Sequence, residues 1–217
     1  MSSKEKSKII LRVLNKIYPK VPIPLKYKNT FTLLISVLLS AQCTDVNVNN
    51  VTSKIYPKYN QPKHFVKLGR KKIERLIKNI GIFRVKAKSI YNLSKILVNK
   101  YKATVPRSYD ELESLPGVGH KTASVVMSQG FGYPAFPVDT HIHRLAQRWG
   151  LTNGKNVVQT ENDLKTIFPK KHWNKLHLQI IWYGREYCKA RDCYGITCKI
   201  CKSCYPNRSK PIKTKKA

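Results

Sequence analysis

Apolar residues recur at helical spacing along most of this chain. The first segment repeats them every three or four positions, at Ile9, Ile10, Val13, Leu14 and Ile17. The same spacing predicts further helices over 31–40, 45–56, 73–81, 85–101, 109–114, 121–130, 140–149, 156–168 and 173–187. Apolar and polar residues nowhere alternate convincingly with the period of two that a half-buried strand requires. The pattern therefore predicts an all-α protein.

The charge balance points to a polyanionic partner. The 217 residues contain 42 Lys and Arg against 11 Asp and Glu, a formal net charge of +31. Such an excess favours nucleic acid first and an anionic membrane second. The longest apolar run, Leu33–Leu39, is much shorter than a membrane-spanning helix, and the N-terminus lacks the features of a secretory signal. We therefore expect an intracellular protein that does not enter a membrane.

A glycine turn between two predicted helices forms a helix–hairpin–helix over about 109–130. Leu115-Pro-Gly-Val-Gly119 makes the turn, and Gly117 and Gly119 let the backbone N–H groups approach a phosphate as the next helix begins. Such a contact holds the DNA backbone without reading a base edge. The alternative is an ordinary helix-capping turn.

Two residues near this hairpin suggest chemistry as well as binding. Lys121 falls in the first turn of the second helix, an unusual place for a cation because the helix dipole is positive there. A lysine kept near its neutral form suits a nucleophile. Asp139 lies eighteen residues later and is also well placed to cap the helix that follows. Either residue alone is a weak signal, but their combination with the hairpin is specific.

These motifs closely resemble those of the endonuclease III family of DNA glycosylases, in the helix–hairpin–helix/Gly-Pro-Asp superfamily. The resemblance covers about residues 8–204, and its most specific text is Leu38-Leu-Ser-Ala-Gln-Cys-Thr-Asp45, Leu115-Pro-Gly-Val-Gly-His-Lys-Thr-Ala123, Val138-Asp-Thr-His141 and Tyr183-Gly-Arg-Glu-Tyr-Cys188. It implies two helical lobes with duplex DNA and a flipped base between them. One lobe would span 22–133, and the other would join 1–21 to 134–217.

The resemblance also implies roles for individual residues. Lys121 matches the nucleophile and Asp139 the essential carboxylate, Gln42 matches the residue that fills the vacated base position, and Ile82 lies near the intercalating leucine. For Ile82, a helix-terminal core contact is an equal alternative. The remaining predicted DNA contacts are Leu115, Gly117, Val118, Gly119, His120 and His141. At position 120 many relatives carry arginine, so this chain has one permanent cation fewer beside the phosphate.

Five cysteines crowd into residues 188–204, with the spacing Cys188-x4-Cys193-x4-Cys198-x2-Cys201-x2-Cys204. Thiolates this dense suit a [4Fe–4S] cluster or a four-cysteine zinc site. The resemblance favours a [4Fe–4S] cluster held by Cys188, Cys198, Cys201 and Cys204, with Cys193 as a possible substitute ligand. The spacing departs from the commonest family pattern, C-x6-C-x2-C-x5-C, so zinc or no metal remains an alternative.

The predicted function is a bifunctional glycosylase and apurinic/apyrimidinic lyase that acts as a monomer on oxidised pyrimidines in duplex DNA. An adenine-specific glycosylase is a rival, but it needs a carboxylic acid before Gln42, and no Asp or Glu lies between Glu5 and Asp45. A non-catalytic hairpin protein is a rival from another class, although phosphate binding alone requires neither Lys121 nor Asp139. The basic tail, residues 205–217, is expected to be disordered over its last ten residues.

Overall fold

A computed structural model describes all 217 residues, and every regular element in it is helical, as the hydrophobic pattern predicts. Eleven α-helices follow one another: α1 Ser3–Ile17, α2 Thr30–Ser40, α3 Asp45–Ile55, α4 Pro62–Leu76, α5 Phe83–Lys100, α6 Tyr109–Glu113, α7 His120–Val125, α8 Thr140–Arg148, α9 Val157–Ile167, α10 Trp173–Glu186 and α11 Lys199–Cys204. A π-helical segment, Val126–Gly130, continues α7, and a 3-10 turn, Lys170–His172, precedes α10. No helix is both long enough and apolar enough to cross a bilayer.

The chain forms two compact units. One consists of Ile23–Tyr133 and the other of Met1–Pro22 together with Pro134–Ala217. The first unit is built around α2, whose residues from Phe31 to Leu39 are all buried. An Asn29–Thr32 capping box starts this helix. Helices α3, α5 and α7 and the π-helical segment pack on α2, so the glycine turn before α7 rests on the core of this unit.

The second unit packs α1, α9 and α10 around α8 and the C-terminal segment. Trp149 and Tyr183 are fully buried and meet edge to face, with ring centroids 6.0 Å apart. The Tyr183 hydroxyl accepts the backbone N–H of Ile200 at 3.1 Å, which joins α10 to α11. Burial of such large aromatic rings supplies much of the apolar stabilisation of a unit this small.

Three segments differ from the predicted pattern. Helix α4 begins at Pro62, eleven residues before the predicted start, and kinks at Gly69, whose φ is +71°. Helix α11 was not predicted. The last residues are ordered against α8 and the cysteine loop: the Lys215 N–H donates to Gln147 Oε1 at 2.8 Å, and the Ile212 N–H donates to the Tyr194 carbonyl at 2.9 Å. From their composition, these last residues are expected to be disordered. Their backbone N–H groups instead donate hydrogen bonds to the folded unit, which composition does not reveal.

Candidate active site and cysteine site

The turn between α6 and α7 exposes the start of α7. Val118 N–H donates to the Leu115 carbonyl at 3.1 Å, which closes the turn, and both side chains are buried. Gly117 has φ +80°, and a β-carbon there would lie 2.9 Å from Ser89 Cβ. Glycine is therefore required at 117 by both conformation and space. Gly119 begins α7 without a side-chain cap and has open space beside its α-carbon.

Lys121 lies in the first turn of α7 and is exposed to solvent. Beside it, His120 Nδ1 lies 2.8 Å from Glu113 Oε1, and the imidazole stacks on the Tyr109 ring with centroids 5.6 Å apart. These contacts join the two helices of the hairpin. His120, which is predicted to lie beside the phosphate, is therefore held in place by two residues of α6.

Gln42 and Ile82 lie on adjacent turns and share an unusual backbone conformation. Their φ values are +54° and +49°, and a β-carbon added to Gly81 would lie 3.4 Å from the Gln42 carbonyl oxygen. The left-handed region is rare for a β-branched residue and costs about 1–3 kcal/mol. Ile82 is 54% exposed, so it is not the core contact considered above. Both side chains are held on turns at the surface.

A buried lysine connects these two turns. Lys86 Nζ donates to the Leu39 carbonyl at 2.9 Å and to the Ala41 carbonyl at 2.6 Å, at the end of α2 just before Gln42. Its backbone N–H donates to the Ile82 carbonyl at 3.2 Å. Burial lowers the pKa of the Lys86 ammonium group. One side chain therefore ties the C-terminal end of α2 to the first turn of α5.

In the second unit, Asp139 starts α8, and each oxygen of its carboxylate makes a local contact. Oδ1 accepts the backbone N–H of Ile142 at 2.8 Å, and Oδ2 lies 3.1 Å from His141 Nδ1. The predicted N-cap is therefore present. His143, by contrast, points inward and is buried against the Thr160 hydroxyl at 2.8 Å.

Helix α8 also holds the start of the cysteine loop. Arg144 donates to the carbonyls of Gly184 and Cys188 at 3.0 and 3.1 Å. The buried Arg148 donates to the Lys189 and Ala190 carbonyls at 2.8 and 2.9 Å and to Cys188 Sγ at 3.3 Å. A β-carbon at position 184 would lie 3.3 Å from both Arg144 and His141, a tight contact that suits the glycine there.

Four buried thiols converge in the loop that follows: Cys188, Cys193, Cys198 and Cys201, with sulfur atoms all within 4.8 Å of one another. The grouping contains Cys193 where the resemblance suggested Cys204. The reason is the loop's path: Tyr194 and Gly195 both have positive φ, and this turn places Cys193 Sγ 3.4 Å from the Cys198 N–H. Cys204 instead lines a surface cavity with Lys6 and Tyr205, and burial raises its pKa to about 11.

Three contacts at these sites had no signal in the sequence. Lys86 is one of 32 lysines, and the carbonyls that it binds lie 45 and 47 positions away. The His120–Glu113 and His141–Asp139 contacts are closer in sequence, but their side-chain directions depend on how the flanking turns are folded.

Comparison with known families agrees with this geometry. Residues 35–170 match the model of the HhH-GPD superfamily base excision DNA repair protein. Endonuclease III of Bacillus subtilis is 41% identical over 86% of this chain and 86% of its own length. Endonuclease III of Escherichia coli K12 is also 41% identical, over 83% of this chain and 87% of the bacterial protein.

Solved structures give the same relationship. A trapped covalent intermediate of endonuclease III with DNA superposes with a TM-score of 0.87 at 40% identity, covering 92% of this chain and 94% of that one. A thermostable thymine-DNA glycosylase, at 24% identity and a TM-score of 0.80, shares the fold.

Proposed function

Because this chain belongs to the endonuclease III family, within the HhH-GPD superfamily of base excision DNA repair proteins, we propose that it is a bifunctional DNA glycosylase and apurinic/apyrimidinic lyase. Its substrate is duplex DNA with an oxidised pyrimidine. The observation that carries the proposal is the exposed Lys121 at the start of the hairpin's second helix, in a chain similar to one trapped as a covalent intermediate with DNA.

Lys121 supplies the nucleophile. Its uncharged amine attacks C1′ of the damaged nucleotide, and the bond between C1′ and the nitrogen of the base breaks. The base leaves with the electron pair of that bond and takes up a proton. Opening of the sugar ring then gives an imine between Nζ and C1′. Loss of a C2′ proton breaks the C3′–O bond and expels the 3′ phosphate, which nicks the strand. Water hydrolyses the remaining imine and frees the lysine.

Asp139 supplies a fixed negative charge. Breaking the glycosidic bond builds oxocarbenium character at C1′, which a nearby carboxylate stabilises. The N-cap contact with Ile142 and the contact with His141 orient this carboxylate before substrate arrives. Such preorganisation is what makes an electrostatic contribution effective in the transition state.

Gln42, Ile82 and the glycine turn give access to the base. The turn of Gly117 and Gly119 holds a backbone phosphate, while the exposed Ile82 parts the base stack and Gln42 occupies the space left by the flipped nucleotide. The left-handed backbone at both positions supports this proposal, because strained conformations cluster at functional sites. His120 and His141 complete the DNA-facing set.

The cysteine loop holds a metal centre. Four buried thiols are the ligands that such a centre requires, and family membership implies a [4Fe–4S] cluster. Bound there, the metal would order the basic loop that contains Lys189 and Arg191. It would have no direct part in breaking the glycosidic bond, which Lys121 and Asp139 carry out.

Borohydride trapping on duplex DNA containing thymine glycol tests the function. The parent protein should form a covalent adduct, and Lys121→Ala should form none. Lys88→Ala, which changes another exposed lysine of the same unit, is the matched control and should be trapped normally. Base release without a trapped adduct would indicate a monofunctional enzyme, and absence of activity on any lesion would favour a binding module.

A further inference from the structure

The spacing of the four sulfur atoms carries information about the kind of metal they hold. Cys201 Sγ lies 3.9 Å from Cys188 Sγ and 3.8 Å from Cys193 Sγ. No two ligand sulfur atoms in the group are more than 4.8 Å apart. Four ligand sulfur atoms this close together leave room for one metal ion between them.

A single tetrahedral ion matches the two separations of 3.8 and 3.9 Å. Zinc binds thiolates at about 2.3 Å, and the corners of a regular tetrahedron of that radius lie about 3.8 Å apart. In a [4Fe–4S] cluster each thiolate binds a different iron atom, and the iron–sulfide cube separates the thiolates further than one ion does. The number and type of ligands fit the cluster, but their spacing does not.

The surrounding contacts suit four thiolates bound to one ion. The Cys198 N–H and the Arg148 guanidinium donate to sulfur atoms of the group, at 3.4 and 3.3 Å. Such outer contacts orient ligands and offset their negative charge. The two-residue spacing of Cys198 and Cys201 is common in structural zinc sites and also occurs in iron–sulfur sites, so the sulfur separations, and not the sequence, distinguish the two.

We infer that Cys188, Cys193, Cys198 and Cys201 hold one zinc ion in a structural site, in place of the iron–sulfur cluster that family membership implies. Cys204 is outside the ligand set. The inference rests on the proposed metal centre but not on the proposed catalysis, because metal content and borohydride trapping are measured separately.

Anaerobic purification followed by elemental analysis tests the inference directly. We expect one zinc per chain, a colourless protein, and tetrahedral thiolate bands in the visible spectrum after exchange for Co²⁺. Four iron atoms with four acid-labile sulfides and broad visible absorption would overturn it, as would a protein without stoichiometric metal.

Ligand variants test the assignment of each cysteine. Cys204→Ala should keep one zinc per chain, whereas Cys193→Ala should lose it. Because Cys193→Ala could fail to fold, Cys193→His provides a second test: histidine is a good zinc ligand, so this variant should retain one ion and shift the Co²⁺ bands. Loss of metal from Cys204→Ala with retention in Cys193→Ala would overturn the ligand set, and so would loss from Cys193→His.

Discussion

The Asp139 carboxylate reaches His141 across two residues of the same helix start, with Oδ2 3.1 Å from the imidazole Nδ1. The other oxygen, Oδ1, caps the helix at Ile142. Since neither carboxylate oxygen is left to rotate freely, the charge that the proposed mechanism needs is fixed in direction by local contacts.

Asp139→Asn should separate the charge of this residue from its capping role. Asparagine caps a helix about as well as aspartate does, so the melting temperature should change little. Turnover should fall about a hundredfold or more, since the transition state loses its electrostatic partner. Single-turnover base release measures the loss of charge, and thermal melting measures the cap. DNA binding, followed by anisotropy, should be retained. Unchanged turnover would remove the carboxylate from the mechanism.

His141→Ala should lower turnover less than Asp139→Asn does. It removes the His141 contact with Oδ2 but leaves the Ile142 contact in place, so we expect turnover to fall about tenfold, because modest misorientation of a catalytic group is costly. His143→Ala, which changes a buried neighbour bonded to Thr160, should lower the melting temperature much more. Equal effects of the two variants on stability and rate would argue against an orienting role for His141.

Lys86→Met should affect base flipping more than strand nicking. Without the two carbonyl contacts of Lys86, the end of α2 before Gln42 is no longer tied to α5. Release of a damaged base should slow about tenfold to a hundredfold, while cleavage at a preformed abasic site, where no base has to be extruded, should slow less. Lys95→Met, on an exposed position of α5, serves as the control. Parallel loss of both activities would mean that Lys86 serves stability alone.

Gly117→Ala should lower the stability of the protein, whereas Gly119→Ala should lower its affinity for DNA. At 117, alanine would be held in a left-handed conformation against Ser89, at a cost of about 1–2 kcal/mol for the backbone alone. At 119 the φ is −97° and the space is open, so stability should be nearly unchanged while DNA affinity falls, because the methyl group stands between backbone and phosphate. Chemical denaturation and anisotropy titrations distinguish the two.

His143 should make stability depend on pH. Burial lowers the pKa of this histidine below its ordinary value of 6.5. The unfolded chain therefore binds its proton first as the pH falls, and stability should decrease below about pH 6.5 by up to about 1.4 kcal/mol per pH unit. Melting temperatures from pH 8 to 5 should fall more steeply for the parent than for His143→Gln. Identical slopes would contradict the prediction.

The residues predicted correctly depend on local sequence, and those missed depend on distant parts of the chain. The glycine turn and the Asp139 cap follow from a few adjacent residues, and the helical content follows from the hydrophobic pattern. The role of Lys86 depends on carbonyl groups from another helix, and the position of Cys193 depends on a left-handed turn at Tyr194 and Gly195. The number of lysines or cysteines in the sequence does not reveal either of these arrangements.

Helix α8 has the Asp139 carboxylate at one end and the arginine contacts to the cysteine loop at the other, over nine residues or about 13 Å. Disorder in the loop would remove the Lys189 and Ala190 carbonyls that accept from Arg148, and the C-terminal end of α8 would lose that support. We therefore expect loss of the metal, by oxidation of the thiols or by chelation, to weaken the support of the helix that Asp139 caps. Repair activity should then be sensitive to oxidation of the protein, even though base excision itself requires no electron transfer.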